Sequence, residues 1–238
     1  MRVQAARPPR LIVFDCDGVL IDSERIACGA VADGLHRLGL HTGVDDILQR
    51  YTGVSALSMY ADIQGRTGLV VAQPERQAIA AAVELALGAS VQAMPGVADV
   101  LATLARKHRL CVASSSAPRR LALCLARTGL ARFFGTRVYS AQQVAHGKPA
   151  PDLFLFAAAQ LRVGPADCLV VEDSTAGVRA AVAAGMPCFG FVGGSHATPA
   201  LAVDLRAHGA VVVFSVMAQL PALLHSAGAG GGPGAGAG

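Results

Sequence analysis

Two aspartates, Asp15 and Asp17, follow directly after the short apolar run at residues 11–14. Because side chains alternate along an extended chain, both carboxylates are expected on the same side of a strand that ends there. Two like charges this close repel each other unless a cation joins them. Mg²⁺ prefers hard oxygen ligands and commonly takes one or two carboxylates together with a substrate phosphate. The pair therefore indicates metal-assisted phosphate chemistry, with an aspartate-rich turn as the plain alternative.

A block of hydroxyls follows a second apolar run, at residues 110–113. Ser114, Ser115 and Ser116 stand there, just before a helix that Pro118 can open. Hydroxyls and free backbone N–H groups at the start of a helix suit a phosphate. Serine also caps ordinary helices, so this block favours phosphate binding only in combination with other residues.

A cation and a second pair of carboxylates complete the set. Lys148 lies between glycine and proline, which keep it out of a regular helix face. Glu172 and Asp173 follow the apolar run at residues 168–171 and precede a predicted helix at residues 175–184. Taken singly, a lysine is more often a surface residue and either acid could cap that helix. Together the four segments are expected at one edge of a parallel sheet, where they would form one site.

The elements that must position these residues alternate along most of the chain. Apolar runs of strand length lie at residues 11–14, 110–113, 168–171, 187–192 and 210–214. Helical patterns lie between them at residues 97–107, 118–128, 152–161 and 175–184. This alternation predicts a doubly wound α/β fold with a parallel sheet.

The alternation breaks between residues 23 and 90, where helical patterns such as residues 74–87 occur without a convincing strand. Such an insert would leave and re-enter the core at the ligand-binding edge of the sheet, where it can act as a lid. We expect it to move through linkers near residues 19–22 and 90–94. The predicted organisation is an α/β core at residues 10–18 and 95–225, a helical cap at residues 19–94, and disordered tails at residues 1–9 and 227–238.

Composition excludes several classes of function. The chain has 238 residues, of which 53% are hydrophobic and 15% charged, with a net charge of +4 spread along its length. No basic stripe or interleaved aromatics suggest a nucleic-acid partner, and no apolar run is long enough to span a membrane. The six cysteines form no CxxC pair, so neither disulfides nor a zinc site is expected. We expect a cytoplasmic protein, either monomer or homodimer.

The motifs resemble those of the haloacid dehalogenase superfamily, specifically its phosphatases with a helical cap between the first and second motifs. The resemblance covers nearly all of residues 10–225. The first motif is the segment at residues 14–24, Phe-Asp-Cys-Asp-Gly-Val-Leu-Ile-Asp-Ser-Glu, and the others follow in family order at residues 113–116, 147–152 and 171–174.

The resemblance implies a role for each motif residue. Asp15 would be the nucleophile, Asp17 the general acid and base, and Lys148 the cation that offsets the charge of nucleophile and phosphate. Ser114, Ser115, Lys148 and Gly18 are expected to bind the phosphate. The metal ligands are expected to be Asp15, Asp17 through its backbone carbonyl, Asp173, and Glu172 either directly or through water. The cofactor is Mg²⁺, and the substrate is a small phosphorylated metabolite such as a sugar phosphate or a phosphoglycolate-like ester.

Three alternatives are weighed against this interpretation. Family members that break carbon–halogen bonds lack the second aspartate, so Asp17 argues against dehalogenase chemistry. Sugar phosphomutases such as β-phosphoglucomutase share the cap and motifs but hold a second phosphate with an arginine, where this chain has Ala56. The mutase histidine soon after the first motif also has no clear counterpart. A catalytically silent binding protein would not need the full set of motif residues.

Overall fold

The computed structural model describes residues 8–229 of the chain. Most of the predicted tails, residues 1–7 and 230–238, lie outside the described residues, whereas the last helix reaches Ala229. The six strands are β1 (Leu11–Phe14), β2 (Arg109–Ser114), β3 (Val138–Ser140), β4 (Cys168–Glu172), β5 (Cys188–Phe191) and β6 (Val212–Phe214). They form one sheet in the order β3-β2-β1-β4-β5-β6.

Helices connect these strands on both faces of the sheet. Those in the core are α5 (Val97–Leu104), α6 (Pro118–Arg127), α7 (Ala131–Phe134), α8 (Asp152–Gln160), α9 (Thr175–Ala183), α10 (Leu201–Ala207) and α11 (Leu220–Ala229). All five strand pairs are parallel. The predicted doubly wound α/β fold with a parallel sheet is therefore confirmed.

Alternation along the central strand explains why this sheet is covered on both sides. Ile12 and Phe14 belong to one buried apolar cluster, and Leu11 and Val13 belong to another. All four side chains are fully buried, as expected for a strand that carries apolar residues at every position. The central strand can therefore place its end residues rigidly.

The stretch between β1 and α5 is helical, as its sequence pattern indicates. Its helices are α1 (Glu24–Arg37), α2 (Val44–Tyr51), α3 (Ala56–Thr67) and α4 (Gln73–Ser90). Buried residues of these helices, such as Ile63 and Leu87, belong to the same apolar cluster as Phe14. We call this stretch, with its linkers at residues 19–23 and 91–94, the cap.

Strand β3 is an element that the sequence pattern missed. It has only three residues, Val138–Ser140, with an arginine before it and a polar turn after it. A run this short carries too little periodicity to be distinguished from a loop. Its pairing with the edge of β2 is a tertiary contact that the local sequence does not specify.

Candidate active site

Asp15 lies at the point where the strand order of the sheet reverses. Phe14, the last residue of β1, is level with Val112 of β2 and Val171 of β4. The Asp15 N–H donates to the Val171 carbonyl at 2.9 Å, which carries the ladder one residue beyond the strand. Open α/β sheets keep their ligand crevice at this position. Asp15 is thus held by backbone pairing at the floor of the crevice.

Lys148 joins two of the predicted site carboxylates. Its Nζ donates to Asp15 Oδ1 at 2.8 Å and to Glu172 Oε1 at 2.7 Å, and its side chain is fully buried. Burial alone would lower the pKa of Lys148, but the two carboxylates outweigh it and raise that pKa. The lysine is therefore a fixed positive charge of the site, and its surface interpretation does not hold.

Three buried carboxyl groups could hold a metal ion. Asp15, Glu172 and Asp173 each offer an oxygen, and these oxygens all lie within 4.8 Å of one another. Burial, and then the charge of Glu172, raises the pKa of Asp173 well above its usual range. Asp173 Oδ2 is buried without a hydrogen-bond partner among the described residues. Three acidic groups beside a single cation, Lys148, suit a hard divalent cation, whose charge would favour their ionised forms.

Asp17 is separated from this cluster by its own set of partners. Ser23 and Arg120 donate to its Oδ1 at 2.6 and 2.8 Å, and Ser116 and Ser114 donate to its Oδ2 at 2.6 and 3.3 Å. Burial tends to raise the pKa of Asp17, but Arg120 and the hydroxyl donors together outweigh it, so that pKa is lowered. Asp17 is therefore held as an ionised carboxylate.

The predicted phosphate-binding residues occupy different positions around Asp15. Ser114 is buried, and its Oγ accepts the Ser116 N–H at 3.1 Å. The Ser115 hydroxyl donates instead to the Gly53 carbonyl of the cap at 2.9 Å. Gly18 has φ +74°, and a Cβ on it would collide with the Asp173 carboxylate. The Ser115 hydroxyl therefore links the core to the cap. Gly18, which has no side chain, leaves space for the Asp173 carboxylate.

His196 is a residue of this region that sequence reasoning missed. Its Nε2 lies 3.0 Å from Asp173 Oδ2, although the approach lacks hydrogen-bond geometry. Burial lowers the pKa of His196. The loop that carries it follows β5, so the rule that located the other site residues at strand ends also applies to it. Its signal was the change from an apolar run to Gly-Gly-Ser-His.

Arg120, Ser116 and Ser23 were missed as partners of Asp17 for a different reason. Arg120 is on the first turn of α6, at the crevice end of that helix. Ser23 is at the N-cap position of α1, but its hydroxyl accepts no backbone N–H from the helix and instead donates to Asp17. No sequence spacing connects Arg120 to Asp17 across 103 positions, because the contact depends on how β1 and α6 pack.

A cleft of about 1150 Å³ lies between the cap and the core. Asp15, Asp17, Ser114 and Lys148 line it from the core side. The cap contributes residues of four helices and a loop, including Glu24, Cys28, Tyr51, Gly53, Tyr60 and Arg76. A cavity of this size accommodates a small molecule, and both the core and the cap contribute polar groups to its lining.

The parallel sheet, with Asp15 at the end of its central strand, is the arrangement of a class of hydrolases. The family model of haloacid dehalogenase-like hydrolases matches residues 9–185, and the chain belongs to this family. The resemblance stated from the motifs is thereby confirmed.

Relatives with known names agree with this membership. The 6-phosphogluconate phosphatase of Escherichia coli (strain K12) is 26% identical over 213 residues, which cover 89% of this chain and 93% of that protein. The β-phosphoglucomutase of Bacillus subtilis (strain 168) is 36% identical over 112 residues, 47% of each chain. A haloacid dehalogenase family hydrolase from Deinococcus radiodurans R1, solved with bound phosphate and sodium, has a TM-score of 0.74 and 33% identity over 94% of this chain and 98% of that chain.

The protein is accordingly a phosphoric monoester hydrolase of the haloacid dehalogenase type. Within residues 8–229, none of the helices has the length and apolar character needed to cross a membrane.

Proposed function

We propose that this protein hydrolyses a small phosphorylated metabolite, a sugar phosphate or a phosphoglycolate-like ester, in a Mg²⁺-dependent reaction through an aspartyl-phosphate on Asp15. The observation that carries the proposal is that buried Lys148 bridges Asp15 and Glu172. Asp17, two residues after Asp15 in the chain, lines the same cleft. The name of the 6-phosphogluconate phosphatase relative supports a sugar phosphate as the substrate class.

In the first step, Asp15 attacks the phosphorus atom of the ester. Lys148 holds Asp15 Oδ1, which leaves Oδ2 without a hydrogen bond from the described residues and able to form the new P–O bond. The bond from phosphorus to the substrate oxygen breaks at the same centre. Lys148 and the Ser114 hydroxyl lie where they can offset the charge on the phosphoryl oxygens, which is the main requirement of phosphoryl transfer.

Asp17 is the general acid of the first step and the general base of the second. It protonates the leaving oxygen, and it then takes a proton from the water that attacks the aspartyl-phosphate. Its ionised form, bound to Arg120, suits the second step. Before the first step it must take up a proton, so we propose that substrate binding weakens its contact with Arg120. Such general acid–base assistance is typically worth about 10²- to 10⁴-fold in rate.

The acidic cluster supplies the residues for a magnesium ion. Asp15 and Asp173 would ligate it directly, together with the Asp17 backbone carbonyl. Both oxygens of Glu172 are already engaged, one by Lys148 and the other by the N–H and hydroxyl of Ser174. We therefore propose that Glu172 acts on the ion through water. When bound, the ion would neutralise the carboxylates and add positive charge beside the phosphoryl group.

A sugar phosphomutase remains the second candidate, because the β-phosphoglucomutase relative matches about half of this chain. A mutase must hold a second phosphate on its substrate, and Ala56 offers no charge for this. The cap residue Arg76 lines the cleft, but its Nε donates to the Val71 carbonyl at 2.6 Å and its guanidinium lies 5.3 Å from the centre of the Tyr60 ring. These contacts favour a hydrolase.

The proposal is tested by phosphate release from a panel of sugar phosphates, phosphoglycolate and p-nitrophenyl phosphate. Release should require Mg²⁺, stop on addition of EDTA, and be lost in Asp15→Asn. Asp17→Asn should retain at most about one part in 10² of the activity. Isomerised sugar phosphate without free phosphate would instead favour the mutase, and no turnover of any compound by the wild type would contradict both.

A further inference from the structure

His196 is a buried side chain that the proposed reaction does not use. It lies in the loop that follows β5, and only 4% of its side-chain surface is exposed. Neither ring nitrogen has a hydrogen-bond partner among the described residues. A buried imidazole without partners is costly, because its nitrogens lose their hydrogen bonds to water. An apolar side chain of similar size would fill this space at lower cost, so packing alone does not account for a histidine here.

The loop that carries His196 holds the ring in one place. The Ser195 N–H and hydroxyl both donate to Asp22 Oδ1, at 3.1 and 2.8 Å, which ties the loop to the segment after β1. The imidazole lies between two glycines. A Cβ added to Gly194 would be 2.7 Å from the ring, and one added to Gly18 would be 2.8 Å from it. Backbone on two sides therefore limits where the ring can lie.

The ring lies against one carboxylate of the proposed metal site. Its Nε2 is 3.0 Å from Asp173 Oδ2, and this oxygen also has no hydrogen-bond partner among the described residues. The distance is that of a hydrogen bond, and only the angle departs from one. A small rotation of the imidazole or of the carboxylate would align the Nε2–H with the oxygen. Two buried polar atoms without other partners can thus satisfy each other.

The position of His196 favours action through this carboxylate over direct ligation of an ion. Among the described residues, the oxygens that lie within 4.8 Å of one another belong to Asp15, Glu172 and Asp173, and His196 does not join this group. Of the three acids, it contacts Asp173. A carboxylate oxygen has two lone pairs, so Oδ2 can accept from the imidazole and still ligate a cation.

A hydrogen bond to a metal-ligating carboxylate strengthens metal binding in two ways. It restricts rotation of the carboxylate, so less freedom is lost when the ion binds. It also satisfies a lone pair that is buried away from water. Removal of such a partner typically lowers metal affinity about 10- to 100-fold.

We propose that His196 is a positioning residue of the metal site, whose Nε2–H donates to Asp173 Oδ2 and holds this carboxylate in the orientation that binds the divalent cation. This inference rests on the Mg²⁺ dependence of the proposed function and adds to it a residue that raises the affinity for the ion.

The test measures the Kd for Mn²⁺, used as the probe for the Mg²⁺ site, by electron paramagnetic resonance without substrate. His196→Met fills a similar space without a hydrogen-bond donor, so its Kd should rise about 10- to 100-fold. His196→Gln keeps an N–H donor, so its Kd should stay within about threefold of the wild-type value. Excess Mg²⁺ should restore phosphate release in His196→Met, because the residues proposed to react with the substrate are intact.

His146→Met is the matched control, because His146 is also paired with an aspartate, Asp152 at 3.1 Å, and lines the cleft. Its Kd for Mn²⁺ should equal that of the wild type. Thermal unfolding of each variant in EDTA measures what the side chain contributes to stability. A purely structural role of His196 would lower the Tm of its variants without separating the Kd values of His196→Met and His196→Gln.

An unchanged Kd in His196→Met would overturn the inference, as would an equal rise in His196→Met and His196→Gln. A nitrogen coupling of the His196 ring to Mn²⁺ in pulsed electron paramagnetic resonance would also overturn it, because the histidine would then be a ligand itself. Failures of the proposed function are distinguishable. A wild type that binds no Mn²⁺ would contradict both the metal site and the role of His196. A wild type that binds Mn²⁺ but releases no phosphate from p-nitrophenyl phosphate would contradict the proposed function alone.

Discussion

Four carboxyl groups lie at one crevice, and their charges are balanced in different ways. Asp15 and Glu172 share Lys148, Asp17 has Arg120, and Asp173 keeps an oxygen without a partner. Divergent environments give chemically similar groups separate roles. The charge of Asp15, the proposed nucleophile, is balanced by Lys148, whereas Asp173 has an unpaired oxygen that could ligate the proposed metal ion.

Glu24 gives a prediction on stability against pH. In the unfolded chain it loses its proton near pH 4.5, and in the folded protein near pH 8. Between these values the unfolded state binds fewer protons, so this residue lowers the free energy of unfolding as pH rises. Glu24→Gln has no proton to lose at this position, so its stability should not fall with pH for this reason. In denaturant titrations in EDTA, the free energy of unfolding of Glu24→Gln should rise relative to that of the wild type from about pH 5 upward. The relative increase should reach about 1 to 3 kcal/mol near pH 9. A constant difference across that range would contradict the assignment.

Arg120 gives a second prediction at this scale. Its charge is the largest effect that lowers the pKa of Asp17 against burial, so Arg120→Met should raise that pKa. A carboxyl ¹³C NMR titration of aspartate-labelled protein would measure the change. Arg119→Met is the matched control, since Arg119 is the neighbouring residue but pairs with Glu84 on the cap. An Asp17 titration that is the same in both variants would show that Arg120 does not set it.

Which site residues could be predicted depended on the kind of signal. Asp15 and Asp173 were predicted because their strand-end positions are visible in the local sequence, and Lys148 because it lies between glycine and proline. The structure brings the three residues together. Arg120 was not found, because its contact with Asp17 depends on how distant elements pack. His196 follows the end of β5, so the same strand-end rule could have located it. The Ser115 hydroxyl was assigned to phosphate binding, but its bond to the Gly53 carbonyl could not be predicted before the cap was placed.

At the scale of elements, the loop between α2 and α3 connects the cap to the catalytic residues. Gly53 in this loop accepts from Ser115 and packs against Ser174. The Ser174 hydroxyl donates to Glu172 Oε2 at 2.9 Å and accepts the Gly177 N–H, which caps α9. A shift of this loop would therefore be transmitted to Glu172, and through it to Lys148.

Gly53→Ala should impair activity beyond its effect on stability. Gly53 has φ +77°, and an added Cβ would collide with the Ser174 side chain. Gly39 has φ +86° with nothing within 4 Å of an added Cβ, so Gly39→Ala is the matched control. Both variants should lose about 1 to 2 kcal/mol of stability from the left-handed backbone. Only Gly53→Ala should also raise KM or lower kcat, and equal kinetics in the two would refute the connection.

Most elements were predictable because their patterns are long and regular. Strand β1 has the predicted bounds, and α4 extends the predicted helix at residues 74–87 to Gln73–Ser90. Strand β6 is shorter than its apolar run and begins at Val212, because the Ala210 N–H donates back to the Leu205 carbonyl at the end of α10. Strand β3 was missed because three residues at a sheet edge depend on their partner strand rather than on their own sequence.

At the scale of the whole molecule, the cap is joined to the core by two adjacent chain segments. Ile21 and Ala93 form an antiparallel bridge, the Asp22 N–H donates to the Gln92 carbonyl at 3.0 Å, and the Met94 N–H donates to the Leu20 carbonyl at 2.9 Å. Two connections side by side are where we expect a hinge. Movement about such a hinge changes the cleft while both domains keep their internal packing.

Closure of the cap should be measurable by small-angle X-ray scattering. The radius of gyration should fall when Mg²⁺ and a phosphate analogue are added together, because the cap then covers the cleft and excludes water. Asp15→Asn with the same additions, and wild type with Mg²⁺ alone, are the controls. Scattering curves that are identical in the presence and absence of the ligands would contradict closure.

The central claim is that Asp15 carries the phosphoryl group between the two steps. Wild-type protein mixed with Mg²⁺ and substrate would be quenched in acid within one turnover, digested with pepsin, and analysed by mass spectrometry. We expect one added phosphoryl group on the peptide that contains Asp15, and none in Asp15→Asn. Rapid phosphate release without a phosphorylated peptide, or a phosphoryl group on any other residue, would contradict it.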